Sequence, residues 1–314
     1  MPGQPPALNK ISGDCDDAVI DNQRLNDQQL VQQMATFLEL NQPLTAPRSA
    51  AWRAISTLSG LAGWQADQVQ PISDSSRSLS LDAPNEPAVE KGPGELLRPG
   101  NTIALRWALP SAGTELEVVA MEPDQSITLR GDTSTALLTL WEGSIHLRLE
   151  SESSDEAGLR ASWQLSLSQL AHYVERHPGR KRQVRWTHAR VNGSPELLHA
   201  YFTEEALLRQ WFTSSGNIPT RGAFELMLFA MQQKLVGRVL HNSSGRDVLI
   251  SLTNQSEATL ALRTLPAIAE KDALVCALCL STWGVPGDSV ELLDTHMRSS
   301  LQALKRLLSQ RAAC

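Results

Sequence analysis

Apolar and polar positions alternate strictly along one stretch of the chain. Ile103, Leu105, Trp107 and Leu109 interleave with Thr102, Ala104, Arg106 and Ala108, the period of two expected for a strand with one buried face. Ile145, Leu147 and Leu149 repeat the pattern against His146 and Arg148. Between these strands, Leu116–Val119, Ile127–Leu129 and Ala136–Trp141 have strand composition. The period then changes. Leu159, Trp163, Leu167, Leu170 and Val174 are spaced four, four, three and four, one face of an α-helix. Upstream, a strand is predicted through Ala35–Leu40 and an amphipathic helix from Pro47 to Leu58, with Ala51, Trp52 and Ile55 on its apolar side. Gly60 and Gly63 punctuate the chain before Trp64, and Ser73 to Gly100, rich in Ser, Asp, Pro and Gly, reads as a long loop.

From about Arg182 the plan recurs, an internal duplication. A strand over Gln183–Arg190 leads to a helical stretch from Pro195 to Trp211. Strands follow over Ala223–Met231, Leu235–Leu240, Asp247–Leu252, Thr259–Thr264 and Leu274–Ser281. Val290, Leu293, Met297, Leu301, Leu304 and Leu308 then mark a closing helix, with Asp288 or Ser289 to cap it and Glu291 in its first turn. The order predicts an α+β protein of two consecutive units, residues 28–178 and 179–314. In each, a curved antiparallel sheet buries one face against a long C-terminal helix. Residues 1–27, with Pro2, Pro5, Pro6 and the acids between Asp14 and Asp21, are expected to be disordered.

Composition narrows the function. The 314 residues carry a formal charge of −6. The only basic cluster, Arg180, Lys181, Arg182 and Arg185, falls in what reads as a linker. Nucleic acid is therefore not an expected partner, since phosphate binding needs a concentrated basic face. No apolar run reaches the length of a membrane span, and no secretory signal opens the chain. Four scattered cysteines, Cys15, Cys276, Cys279 and Cys314, fit a reducing compartment, and the expected location is the cytoplasm.

Candidate chemistry is sparse. Cys276 and Cys279 form a Cys-x-x-Cys, but their apolar flanks predict a strand, which points residues three apart to opposite faces. Buried structural thiols are expected there, not a redox or zinc pair. The seven histidines show no metal-ligand spacing. His146 belongs to an outer sheet face, and His296 sits beside the buried stripe. No nucleophile elbow, phosphate loop or dinucleotide fingerprint occurs. The reading calls for no cofactor and no metal. Arg106, Arg148, Arg238 and Arg263 are assigned to exposed sheet faces. Tryptophan stands out: there are eight, against two tyrosines and five phenylalanines. Trp107 has inner strand parity, Trp163 lies on the inner helix stripe, and Trp141 and Trp283 end strands. Such rings either fill an interior or line a cavity in it.

Short motifs resemble a known family. Ser194-Pro195-Glu196-Leu197-Leu198 and the run from Tyr201 through Phe202 to Trp211 are similar to the opening of the C-terminal domain in activators of the ninety-kilodalton heat-shock protein ATPase. Gly222-Ala223-Phe224-Glu225-Leu226 and Leu235-Val236-Gly237-Arg238-Val239 resemble its next strands. Ala46-Pro47, Trp52-Arg53-Ala54, Gly60-Leu61, Trp64 and Pro99-Gly100 are similar to the bacterial form of the same opening. The resemblance implies two START-like (SRPBCC, Bet v 1-like) helix-grip domains, each with a cavity between sheet and helix. Only ten residues separate Trp211 from Gly222, too few for a full second strand. The expected function is binding of an apolar small molecule, lipid or polyketide-like, with Leu105, Trp107, Trp141, Trp163 and Leu167 as the expected lining. The alternatives are a polyketide cyclase or aromatase, and a module that binds a chaperone or another protein.

Overall fold

A computed structural model describes residues 35–72, 95–108, 113–229, 234–254, 257–266, 274–284 and 288–312. The segment expected to be disordered, most of the expected long loop, Leu109, Cys15, Cys314 and the side chains of Asp288 and Ser289 lie outside the described residues.

The described chain forms two seven-stranded antiparallel sheets of the same plan. In the first, β1 (Thr36–Pro43), β2 (Gln68–Ile72), β3 (Thr102–Arg106), β4 (Gly113–Glu122), β5 (Ser126–Arg130), β6 (Ser134–Trp141) and β7 (Ser144–Ser151) lie in the order β1-β7-β6-β5-β4-β3-β2. Helices α1 (Arg48–Ser56) and α2 (Leu58–Trp64) follow β1, and α3 (Glu156–Arg176) closes the unit. In the second, β8 (Arg182–Val191), β9 (Thr213–Ser215), β10 (Gly222–Leu228), β11 (Lys234–Ser243), β12 (Asp247–Leu252), β13 (Ala258–Pro266) and β14 (Leu274–Trp283) lie in the order β8-β14-β13-β12-β11-β10-β9. Here α4 (Pro195–Thr203) and α5 (Glu205–Leu208) follow the first strand, and α6 (Asp288–Ala312) closes the unit. This is a tandem helix-grip architecture. The paired first and last strands bring apolar residues of one parity together, as in Leu38 opposite Leu149 and Leu40 opposite Leu147.

Three local features depart from the expected pattern. The chain does not leave the helical conformation at the Gly60–Gly63 stretch. Thr57 is extended, its Oγ1 accepts from the Gly60 N–H, and α2 runs on to Trp64. The glycines are there for close approach: a Cβ on Gly60 would sit 2.2 Å from the Arg53 carbonyl oxygen, and one on Gly63 would sit 2.3 Å from the Tyr173 ring. Strand β2, Gln-Val-Gln-Pro-Ile, shows no hydrophobic alternation because it is the sheet's edge, where Pro71 is tolerated. In the second unit Glu204 is extended and divides the Pro195–Trp211 stretch into α4 and α5, and the short connection leaves β9 only three residues.

Each unit encloses its own core. Leu38, Ile55, Leu105, Leu147, Leu167 and Leu170 belong to the first, and Leu198, Phe202, Leu260, Leu293, Met297 and Leu301 to the second. Tyr201, Phe202 and Trp211, prominent in the motif shared with the chaperone-ATPase activators, are all buried in the second core and hold α4 against it.

The outer face of the second sheet is also covered. Every residue of β12 is buried, as are most of β13 and β14. They are buried on both faces, with Leu249, Ala261 and Cys279 outward among Asp247, Ser251, Thr259, Arg263 and Ser281. Leu249, Ala261 and Cys279 form an outer-face cluster with Trp186 and with Leu165 of α3. Cys276, three residues from Cys279, is in the second unit's core, so the two thiols lie on opposite faces. The first unit is the cover. Its α3 packs on β11 and β12, and Trp283, from the end of β14, is 4% exposed within the first unit's core.

The segment from Gly63 to Asp67 joins the units. The Gly63 carbonyl accepts from Trp283 Nε1 at 3.0 Å, the Trp64 carbonyl from Arg182 Nη1 at 2.9 Å, and Asp67 Oδ2 from Trp186 Nε1 at 2.7 Å. Ion pairs join the units at both ends of α3: Arg246 with Asp155 at its start and Arg176 with Glu257 at its close. Several expectations are corrected by this junction. Arg182 and Arg185 are strand residues of β8, not linker; Arg185 pairs with Glu291 and Asp294 of α6. Arg263 is not on an exposed face. It pairs with the buried Asp247 at 3.0 Å and reaches Ser162 of α3.

Truncating Trp283 removes a large ring from a closed core and frees the Gly63 carbonyl. Trp283→Ala is expected to destabilise the chain by about 3–5 kcal/mol. Trp141→Ala, at a 54% exposed ring, is expected to stay within about 0.5 kcal/mol of the parent. Urea unfolding of the full chain measures both, and equal midpoints would show that Trp283 does not hold the junction.

The junction also predicts acid sensitivity. His172 Nε2 and His177 Nε2 lie 2.8 and 3.3 Å from the Glu257 carbonyl oxygen, and the His177 ring stacks on Trp283 at 4.3 Å. Burial is the largest influence on both imidazoles. It lowers His172, and it pushes His177 down to about 4 against the opposing pull of the Glu257 carbonyl and carboxylate, with His172 and Arg180 adding to the depression. The unfolded chain takes up these protons near pH ~6.5. Between about 6.5 and 4 it binds more protons than the native state, so stability is lost as pH falls through that window. Burial depresses His241 and His296 in the same direction. The unfolding midpoint should fall from pH 7 to pH 4.5, and less steeply in His177→Gln. Identical slopes would remove His177 from the account.

Candidate binding cleft between the two units

Where α3 crosses the second sheet the surfaces do not close. Ser162, Ser166 and Gln169 follow one another at helical spacing on α3, and they face Ala261 of β13 and Ser281 of β14. Small side chains on both surfaces leave a cavity of about 250 Å³. Its walls are aromatic: Trp64 ends α2, Trp107 follows β3, Trp163 projects from α3 and Trp186 from β8. The first half of α3 is only half-buried, which keeps this side of the cavity in reach of solvent.

Three of the four indole N–H groups are already engaged. Trp64 Nε1 donates to the Ala54 carbonyl at 3.0 Å, Trp107 Nε1 to the Gln65 carbonyl at 2.9 Å, and Trp186 Nε1 to Asp67 Oδ2. These bonds fix the rings. What the rings then offer a guest is apolar area and π-face.

The polar groups of the cleft are few and incompletely paired. Arg182 Nε and Nη2 both donate to Ser281 Oγ, at 3.1 and 2.8 Å, and Nη1 donates to the Trp64 carbonyl. Three of the five guanidinium N–H groups are thus used. Among the described residues no carboxylate lies within ion-pair distance of Arg182. Burial lowers its pKa, against the opposing pull of Cys279 and of the Asp67 carboxylate nearby. Burial likewise pushes the Cys279 thiol up to about 11, although Arg182 pulls it down. Gln169 is 3% exposed; its Oε1 accepts from Thr259 Oγ1 at 3.0 Å while its Nε2 has no partner. Gln65 Oε1 is buried and unpartnered as well. A larger hollow of about 380 Å³ lies between α1, α2 and the end of α3, beside Arg53 and Tyr173. Its walls carry neither clustered indoles nor an orphaned buried polar atom.

Of the residues expected to line a cavity, Trp107 and Trp163 border this cleft. Leu105 and Leu167, each 1% exposed, are in the first unit's closed core. Trp141 lies outside the cleft, at the end of β6, stacked on His146 with ring centroids 4.7 Å apart. Trp64, Gln65, Gln169, Arg182 and Trp186 were not anticipated. The available signal is Leu249, Ala261 and Cys279, apolar residues on the outward parity of β12 to β14, which call for a second layer over that sheet. His296 is held by packing, with Nε2 2.8 Å from the Phe212 carbonyl oxygen. Among the described residues no three His, Cys, Asp or Glu side chains converge as a metal site would require, and no helix is long and apolar enough to cross a membrane.

No family model matches the chain, and neither does any curated protein. Solved structures do resemble it. The di-domain ARO/CYC StfQ from the steffimycin biosynthetic pathway aligns at 11% identity and TM-score 0.40, over 88% of this chain and 100% of that one. The di-domain ARO/CYC BexL from the BE-7585A biosynthetic pathway aligns at 11% identity and TM-score 0.38, over 87% of this chain and 98% of that one. A START superfamily protein from Mycobacterium smegmatis aligns at 15% identity and TM-score 0.34, over 40% of this chain and 97% of that one. Likeness at this level says nothing of ligand or activity.

Proposed function

We propose that this protein is a binding module for a small, flat, largely apolar molecule, held in the cleft between its two units. One observation carries the reading: four of the chain's eight tryptophans converge on a single cavity. Tryptophan is too large to be placed idly at a gap, and fixed indole faces suit an aromatic guest. The volume of about 250 Å³ lies just under the range of about 300–1,000 Å³ typical of drug-sized ligands. A guest of one or two fused rings fits that size.

The chemistry of the walls favours binding over turnover. The ionisable groups lining the cleft are Arg182, Arg263 and Cys279. A guanidinium keeps its proton, and the thiol is held near 11, so none of the three exchanges a proton near neutral pH as general acid–base catalysis requires. A second reading, a polyketide cyclase or aromatase, draws on Arg182. Its N–H groups beside an apolar cleft suit an enolate oxygen.

Intrinsic fluorescence of the full chain should be quenched saturably by 2-naphthol. Trp107→Ala and Trp163→Ala should each weaken that binding by roughly tenfold, while Trp141→Ala leaves it unchanged. Equal affinity in all four proteins would remove the cleft as the site. Native mass spectrometry of protein prepared without detergent is expected to carry a small apolar adduct. Ring closure of a poly-β-ketone thioester by the parent chain, lost in Arg182→Met, would replace the binding reading with the enzymatic one.

A further inference from the structure

Resting on the cleft reading, the geometry points to a more defined ligand class: we infer that the guest is an aromatic acid, its rings among the tryptophans and its carboxylate on Arg182 and Gln169.

The argument starts from the charge. Arg263, the other cation of the cleft, is neutralised by Asp247 at 3.0 Å. Arg182 makes no direct ion pair among the described residues. Its hydrogen-bond partners are a hydroxyl and a backbone carbonyl, Ser281 Oγ and Trp64 O, and the thiol beside it is a weak acceptor. Asp67 is the nearby acid that its charge feels; Asp67 Oδ2 accepts from the Ala108 N–H and the Trp186 indole, both at 2.7 Å, and Oδ1 is buried without a partner, so Asp67 acts on Arg182 at a distance and makes no direct bond to it. Arg182 is half-buried, and a bound carboxylate would give it the direct charge-assisted pair that the described residues do not.

The second observation is independent of the first. Gln169 is buried to 3% exposure, lines the same cleft, and leaves its Nε2 without a partner. A buried amide donor with no acceptor is unfavourable unless something arrives to accept from it. Arg182 and Gln169 thus present N–H donors from opposite walls, β8 and α3, to one small space. A carboxylate has two acceptor oxygens and no donor, which matches a guanidinium and an amide N–H together. A primary amide of the same shape brings an NH2 against donors and carries no charge.

The test compares 2-naphthoate with 2-naphthamide by tryptophan fluorescence titration and by calorimetry, using the full chain at low and moderate salt. The parent protein is expected to prefer the acid by at least about tenfold, and the preference should shrink to about one in Arg182→Met. Because Arg182 also bonds across the junction, the variant's circular dichroism and unfolding midpoint are measured alongside. If it fails to fold, Gln169→Glu takes its place and should abolish the preference by placing a like charge against the carboxylate. Equal binding of acid and amide to the parent overturns the acid assignment and leaves the cleft reading standing. A preference retained in folded Arg182→Met also overturns it. Binding of neither ligand overturns both.

Discussion

The outer face of the second sheet dictates how this molecule is built. Strands β12, β13 and β14 are buried on both faces, and their outward parity sets Leu249, Ala261 and Cys279 among small polar residues and the Asp247–Arg263 pair, a face that needs both apolar cover and polar partners. A single helix-grip unit covers only its inner face. The first unit therefore acts as a structural layer of the second: α3 serves its own core with Leu167 and Leu170 and the neighbouring sheet with Leu165. Trp283 makes the dependence mutual, because the second unit's last strand ends inside the first unit's core.

Alongside the bonds that α3 makes through Asp155, Gln169, His172 and Arg176, one short segment, 63–67, carries directional contacts of the junction. Gly63, Trp64 and Asp67 accept from three side chains of the other unit, and Gln65 accepts from Trp107 of its own. The segment can do this because it ends a helix, where carbonyls lack intrahelical partners. Gly63 must be glycine for the Tyr173 ring to lie against it. Hydrophobic cover brings the units together without fixing an angle. The indole and guanidinium bonds to this segment fix one, and the cleft is what that fixed angle leaves unfilled.

The strands and closing helices were legible because a half-buried strand and a half-buried helix each leave a periodic trace, as at Ile103–Trp107 and Val290–Leu308. The edge strand β2 leaves none, since Gln68, Gln70 and Pro71 face little that selects for apolarity. Helix α2 was hidden by glycines that serve close packing, where turns were expected. The junction was missed for a different reason. Parity assigns side chains to one face of a sheet or the other but does not say what lies beyond either face. Parity alone assigns Arg263 to solvent and makes Trp141 and Trp283 equivalent strand ends. One of those rings is 54% exposed and the other 4%. The difference was not in the local sequence around each Trp. It was in Leu249, Ala261 and Cys279, whose apolar character on the outward parity has no explanation in an isolated unit.

The cleft follows from the same arithmetic of faces. Trp64, Gln65, Trp107, Trp163 and Gln169 come from the first unit, and Arg182, Trp186, Arg263 and Cys279 from the second, so neither unit carries the site alone. Anything bound there adds contacts across the junction, and by linkage it stabilises the docked arrangement over any looser one. His172, one turn beyond Gln169, and His177 at the C-cap of α3 act on the same equilibrium, since their protonation disfavours the buried stack on Trp283. A guest in the cleft would therefore act on the same contact as these histidines, the docking of α3 and its flanks onto the second sheet.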